Sequence, residues 1–535
     1  MTLSPRAPLQ PCLRGLAASL LAAGVLASGS ALAQSATTPA PAPSSPFPMS
    51  RPTTPGPVEV PEVRRFVTRH ALKINGASLA YTAVAGETHL FNRAGDPIGS
   101  IFSFSYLADT KDPHRPVMFV FNGGPGSSSI WLHMGVVGPR RTQLDREVNP
   151  SNTPPFGLID NPLTLLDVAD LVFIDPVGTG WSRVIGKGVN ADFWGVDEDA
   201  DSVAQFIEAW LTEHKRWNAP KYVMGESYGS TRAALLPRAL LGGPMYVGLM
   251  RGITLDGIVL LGTTLNGSAP PATPEAQALR QALQLPALAD TAWYHQRIDR
   301  RGRALEAYHQ EALAYAKGPY LQALTKEAAG TLPPDERTAV VTQLAAFTGL
   351  APTAFAKSLQ LREAGFDRQL LADQGLQVGA YDSRYTLPVA NSGGDPVADD
   401  PAMTLYTPGF RATFEQMAAE DLKIRMDRPY GAIVWKDLLA SWNFKRNAPP
   451  EQSFAVDLAT AMRRTPRLRV LVASGYYDLA THSAAAEAAV EAANMPADRL
   501  QLRRYPSGHM LYVGETAAAF ANDVRAFVRA GAAPR

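Results

Sequence analysis

Four largely apolar runs mark the first half of the chain, and most of them stop abruptly at a turn. Residues 117–121 read Val-Met-Phe-Val-Phe, and residues 171–174, 221–224 and 253–261 follow the same pattern. A continuous run of this length fits a strand covered on both faces, as in a parallel sheet. Between the second and third runs Val203, Phe206, Ile207, Trp210 and Leu211 recur at helical spacing. Asp197, Glu198, Asp199 and Asp201 stand at the start of that stretch and Lys215 and Arg216 at its end, in register with a helix dipole. A second helical stretch, alanine- and leucine-rich, covers residues 231–241. Strand and helix in alternation predict a parallel α/β sheet.

The pattern differs on either side of this block. Residues 63–107 contain short strand-like runs (79–84 and 98–107) separated by Asn75-Gly76 and Gly95-Asp96-Pro97, as expected of antiparallel hairpins that open a sheet. From residue 268 to 428 the sequence is mainly helical in character (273–285, 304–324, 335–347), with an irregular stretch at 393–401. The α/β alternation then resumes, with strands expected at 468–473 and 500–505 and helices at 484–493 and 515–529. The helical block is therefore read as an insertion, placed to form a lid over a pocket.

Composition bounds this picture without redrawing it. The 535 residues, 46% hydrophobic and 19% charged, suit one large domain with an insertion. A net charge of +1, from 50 Lys+Arg against 49 Asp+Glu, argues against nucleic acid or an anionic membrane as a partner. Arg6 and Arg14, the apolar stretch 16–27 and Ala31-Leu32-Ala33 have the three parts of a secretory signal peptide. The alternative is an N-terminal membrane anchor; the stretch is short for a span and broken by Gly and Ser. The single cysteine, Cys12, precedes that stretch, so cleavage would leave an exported protein without disulfides or stable membrane insertion. That fits a bacterial periplasmic or secreted protein. The expected division is a signal peptide at 1–33 and a Pro/Ala/Ser-rich disordered leader at 34–61. The α/β core follows at 62–267 and 429–535, with the helical cap at 268–428 between.

The third apolar run leads into Gly225-Glu226-Ser227-Tyr228-Gly229, and the 231–241 helix follows. Strand, sharp turn and helix around Gly-x-Ser-x-Gly is the context of a nucleophile elbow, where the serine hydroxyl stands exposed and flanking side chains would collide with backbone. Such a serine needs an acid and then a histidine later in the chain. Asp478 lies just beyond the 468–473 run, and His509 just beyond 500–505. His482 is the rival base, although it sits close behind Asp478 where a helix begins. In the expected chemistry His509 takes the Ser227 proton as the hydroxyl attacks an acyl carbon, and Asp478 orients the imidazole. Residues 122–129, Asn-Gly-Gly-Pro-Gly-Ser-Ser-Ser, follow the first buried run and can turn backbone N–H groups inward as an oxyanion hole. No Lys-Ser or Lys-Thr follows, which excludes a Walker phosphate loop.

Taken together, five motifs resemble the serine carboxypeptidase family: residues 122–129, Asp175-Pro176-Val177-Gly178-Thr179-Gly180-Trp181-Ser182, the elbow, Ser474-Gly475 with Asp478, and Gly508-His509-Met510. The resemblance spans residue 72 to the C-terminus and is weakest in the insertion. It implies an α/β-hydrolase fold, no metal or cofactor, and hydrolysis of C-terminal peptide bonds in substrates with a free C-terminus. It also implies roles: Ser227 as nucleophile, Asp478 and His509 completing the triad, the N–H groups of Gly124 and Tyr228 as the oxyanion hole, and Asn122 and Glu226 binding the terminal carboxylate. A carboxyl can hydrogen-bond to that carboxylate only when one of the two holds a proton, hence the acidic working range the family implies. Two departures stand out. Ser127 occupies a position usually Cys, and Val136 stands where a second glutamate is expected, with Arg140 and Arg141 as alternative sources of charge. The same triad would also serve an esterase or acyltransferase. A non-catalytic binding module is the third class, disfavoured because all three triad members are present.

Overall fold

The computed structural model describes residues 60–532 except 75, 111, 145–147, 149, 242–249, 268–270, 272, 362 and 450. The expected signal peptide lies outside the described residues, as does the expected leader except for its last two positions. Three antiparallel strands open a mixed sheet: β1 (Arg65–Ile74), β2 (Ala77–Phe91) and β3 (Pro97–Ala108). Six more follow: β4 (Val117–Phe121), β5 (Asp170–Asp175), β6 (Lys221–Glu226), β7 (Gly257–Leu261), β8 (Arg469–Gly475) and β9 (Leu500–Tyr505). Their spatial order is β1-β2-β3-β5-β4-β6-β7-β8-β9. From β5 to β9 every neighbouring pair is parallel.

Period-two alternation sorts the buried strands onto two cores. Met118 and Val120 join one hydrophobic cluster, with Met224, Val259 and the C-terminal helix residues Phe520, Val524 and Phe527. Val117, Phe119 and Phe121 join the other, with Phe206, Ile207 and Leu211 of helix Val196–Glu213 and Leu235 and Leu236 of helix Tyr228–Leu241. The sheet is thus covered by helices on both faces, which is why β4 to β7 read as unbroken apolar runs. A third cluster, from Ala278 to Val378 with Leu479, is the core of the helical segment between β7 and β8.

Some elements differ from their sequence expectation. The opening strands have 10, 15 and 12 residues and are not short, because β2 pairs along its length with both neighbours. The strand expected from residue 253 begins at Gly257. Before it, Asp256 is tied to the start of β6, its N–H donating to Lys221 O and its carboxylate accepting from Lys221 N. The helical stretch 304–324 is two helices, Leu305–Tyr315 and Leu321–Ala328, parted at Gly318-Pro319 where proline removes a donor.

One buried ion pair ties the elbow helix to its neighbours. Arg232 Nε lies 2.6 Å from Asp199 Oδ2, and Arg232 Nη1 donates to Asn122 O at 2.9 Å, with almost no exposure of either side chain. Removing the cation strands a buried carboxylate. We expect Arg232→Met to lower the unfolding free energy in urea by about 3–5 kcal/mol, and the additional Asp199→Asn change to recover part of that loss.

Candidate active site

β6 ends at Glu226, and Ser227 takes φ 58°, a left-handed conformation uncommon for a residue with a Cβ. The turn is held from both sides. Ser227 N donates to Leu261 O at 2.9 Å, and Ser227 O accepts from Ser230 N at 2.8 Å and Ser230 Oγ at 2.6 Å. A Cβ on Gly225 would lie 2.2 Å from Gly229 O, so the elbow closes only with glycine there.

Asp478 follows β8 and His509 follows β9. His509 Nδ1 lies 2.8 Å from Asp478 Oδ2, and both side chains are buried. Asp478 is fixed in turn: Oδ1 accepts from Ala480 N at 2.9 Å and Thr481 N at 2.8 Å, and the Thr481 hydroxyl donates to Oδ2. With Nδ1 facing a carboxylate, Nε2 is the nitrogen left for other work; it is buried without a hydrogen-bond partner. Ser227 and His509 line one cavity of about 220 Å³. The rival His482 stands at the N-cap of helix Ser483–Ala492, and burial lowers its pKa to about 4. It does not line that cavity.

The loop after β4 packs directly on the elbow. A Cβ on Gly123 would lie 2.4 Å from Tyr228 N and 2.8 Å from Gly229 N, so the N–H of Gly124 and that of Tyr228 belong to adjoining backbone. The cap holds this loop from outside, with Val434 N donating to Gly126 O at 2.7 Å and Ser128 N to Ala432 O at 3.0 Å. Ser127, at the position where cysteine was expected, accepts from Trp131 Nε1 at 3.0 Å and donates to Ser128 O at 3.1 Å.

Glu226 is buried beneath the cavity. Burial raises its pKa to about 7 against downward pulls from the His509 charge and from Tyr512 and Asn122 as donors, while the Asp478 charge adds to the rise. Neither donor reaches full hydrogen-bond geometry: Glu226 Oε2, Asn122 Nδ2 and the Tyr512 hydroxyl are all buried without a partner at that standard. Asn122 is oriented by its other atoms, since Oδ1 accepts from Leu132 N at 3.1 Å. For His509, burial alone would lower the pKa, but Asp478, by charge and hydrogen bond, and then the Glu226 and Asp400 charges raise it to about 9.

The two departures from the family pattern resolve differently. Val136 is buried in the hydrophobic core and does not line the cavity. Arg140 and Arg141 do not supply charge to it either. Arg140 is engaged with Asp160 and, at 3.0 Å, with Asp421, and neither arginine lines the cavity.

Sequence reasoning did not find Thr481, Tyr381 or Tyr512. Thr481 carried a weak signal, a hydroxyl three residues after the expected acid. The Tyr381 ring packs edge-on to His509 at 5.3 Å, and its carbonyl accepts from His509 N at 2.6 Å. With Met403, Ile433, Trp435 and Leu439 it walls the cavity from the cap side. These contacts join positions far apart in the chain, which a sequence pattern does not reveal. Among the described residues no cluster of His, Cys, Asp and Glu could hold a metal ion, and no helix is long and apolar enough to cross a membrane.

A sheet of this order, with a strained serine turn after one parallel strand and acid and histidine after two later ones, defines an α/β hydrolase. The serine carboxypeptidase family model matches residues 97–260, so over that segment this is a serine carboxypeptidase-family sequence. The pheromone-processing carboxypeptidase KEX1 of Fusarium vanettenii is 34% identical over 142 residues, 26% of this chain and 20% of that protein. The human retinoid-inducible serine carboxypeptidase is 31% identical over 140 residues, 26% of each chain. The chain thus covers only about a fifth to a quarter of the length of these relatives. A solved proline iminopeptidase from Mycobacterium smegmatis is 16% identical, with 84% of this chain and 98% of that one covered and a TM-score of 0.36.

Gly262 provides a test of the His509 placement. Its φ is +46°, and a Cβ there would lie 2.7 Å from the His509 ring atoms Cε1 and Nδ1. We expect Gly262→Ala to slow the labelling of Ser227 by a fluorophosphonate about 100-fold, the usual cost of displacing a reacting group by about 1 Å. Mass spectrometry of the labelled peptide checks it.

Proposed function

We propose that this protein is an exported serine-type carboxypeptidase that hydrolyses C-terminal peptide bonds through an acyl-enzyme on Ser227. One observation carries the reading. His509 Nε2, Glu226 Oε2 and Asn122 Nδ2 are buried polar atoms without full partners, on residues that line the same cavity as Ser227. A peptide terminus supplies what each lacks: a hydroxyl proton in transit for His509, and a terminal carboxylate for the other two.

The steps follow from the placement. Ser227 Oγ attacks the carbonyl carbon of the last peptide bond while His509 Nε2 takes its proton, and Asp478 steadies the imidazolium through Nδ1. The N–H groups of Gly124 and Tyr228 receive the oxyanion. The C–N bond then breaks, His509 returns the proton to the leaving amine, and water attacks the acyl-enzyme by the same route in reverse. Throughout, the terminal carboxylate accepts from Asn122 Nδ2 and from a protonated Glu226. The apolar wall of Ile433, Trp435, Leu439 and Met403 favours apolar over charged side chains next to the cleaved bond. Export, to the periplasm or outside a bacterial cell, is supported by the signal-like pattern at 1–33 and by Cys12 being the only cysteine.

Two experiments test this reading. Release of the C-terminal amino acid from a blocked dipeptide should vanish in Ser227→Ala, and the matching amide should be cleaved with kcat/KM about 10- to 100-fold lower, the worth of one charged hydrogen bond. Equal rates on free acid and amide would favour the esterase or acyltransferase alternative. The pH profile has two limbs of opposite sign. Glu226 must hold a proton to accept the substrate carboxylate, so KM stays low below its pKa near 7 and climbs above it. His509 must be neutral to act as base, so kcat rises with pH as its proton leaves. In Glu226→Gln the KM limb should flatten, and the kcat limb should move to lower pH because a charge that raises the His509 pKa is gone.

A further inference from the structure

The cavity floor holds one group that the mechanism above does not use. Tyr512 is fully buried, lies three residues after His509, and does not line the cavity itself. Its ring rests on Gly135, where a Cβ would lie 2.3 and 2.6 Å from ring atoms Cδ2 and Cε2. Only glycine leaves that room, and the next residue along is Val136. The ring therefore fills the space beside the position where a second carboxyl was expected, and its hydroxyl faces both Glu226 and Asn122. A buried hydroxyl with no full partner, aimed at a buried carboxyl with one oxygen unpartnered, is an arrangement that ordinary core packing does not require.

We propose that Tyr512 is the positioning residue for the Glu226 carboxyl. Its hydroxyl donates to one carboxyl oxygen, and so sets which oxygen is free to carry a proton toward the substrate's terminal carboxylate and up to what pH that proton is kept. This rests on the carboxypeptidase reading given above and supplies what that reading lacks, a partner for Glu226 in place of a second glutamate. The direction follows from the chemistry. A phenol in this setting keeps its proton, since burial and then the Glu226 charge hold its pKa well above the ordinary tyrosine value. It can therefore only donate to an ionised Glu226, which stabilises the charged form and opposes the effect of burial. The other groups that bear on Glu226 are His509, with Asp478 behind it, Asn122 and the Tyr381 phenol; Asp400 acts through His509. Tyr512 is the one whose removal leaves the reacting atoms in place.

The test is Tyr512→Phe, which keeps the ring over Gly135 and deletes only the hydroxyl. Glu226 is titrated by difference infrared spectroscopy in the full chain without substrate, its band assigned by loss in Glu226→Gln. The midpoint should rise by about 0.5–1 pH unit in Tyr512→Phe, the worth of one net hydrogen bond. The KM limb for a blocked dipeptide should move by the same amount, with kcat on an ester lacking a free carboxylate nearly unchanged. An unshifted Glu226 midpoint overturns the proposal. A shifted midpoint combined with equal turnover of free acid and amide upholds the Tyr512 role and overturns the carboxypeptidase reading instead. Should Tyr512→Phe fail to fold, ring-labelled tyrosine in the otherwise unaltered protein decides. The Tyr512 C–O band should shift as Glu226 titrates and stay fixed in Glu226→Gln; a band that ignores Glu226 contradicts the proposal.

Discussion

A carboxyl buried next to a histidine that must change its charge cannot be neutral to the chemistry. Glu226 is held in that position by the elbow itself, as the last residue of β6 and the one before Ser227. Its burial costs free energy whenever it is ionised, and that cost falls when it takes a proton or shares one with another carboxylate. The same strained turn that exposes the serine hydroxyl thus places a carboxyl beneath the cavity. Nucleophile and carboxylate recognition are fixed by one piece of backbone.

The rest of the fold serves this arrangement. Four neighbouring parallel strands, β4, β6, β8 and β9, end on the same edge of the sheet, and the loop after each contributes one part: Asn122 to Gly124, Ser227, Asp478 and His509. Helices on both faces bury the strands, and the Arg232–Asp199 pair locks the elbow helix to the helix beside it and to Asn122. The segment between β7 and β8 has its own hydrophobic core, yet it reaches back to the site through Tyr381, Ile433 and Trp435. It also clamps the histidine loop, as Gly508 N donates to Asp382 at 3.1 Å and His509 N to Tyr381 O.

What the sequence disclosed follows from how local each feature is. The elbow needs only a strand, five residues and a helix, all contiguous, so residues 221–241 announced it. The parallel core was legible because burial on both faces leaves unbroken apolar runs at 117–121 and 171–174. The order of Asp478 and His509 after later strand-like runs was enough to pair them before their 2.8 Å contact was seen. The long β1 and β2 were harder to read, since alternating exposure along them leaves no continuous signal. Contacts between distant segments were not legible at all. Arg140 looked free to serve the site until Asp421, nearly three hundred residues on, was found beside it. Tyr512 looked like an ordinary apolar residue after the histidine until Gly135 was found under its ring.

The central claim is that Glu226 recognises a substrate's terminal carboxylate by sharing a proton with it. Proton uptake on binding measures this directly. Calorimetric titration of Ser227→Ala protein with a blocked dipeptide, above pH 7 and in buffers of differing ionisation enthalpy, should show uptake approaching one proton for each peptide bound. Uptake should disappear in the added Glu226→Gln background. Binding of the dipeptide with no proton uptake at that pH would contradict the account.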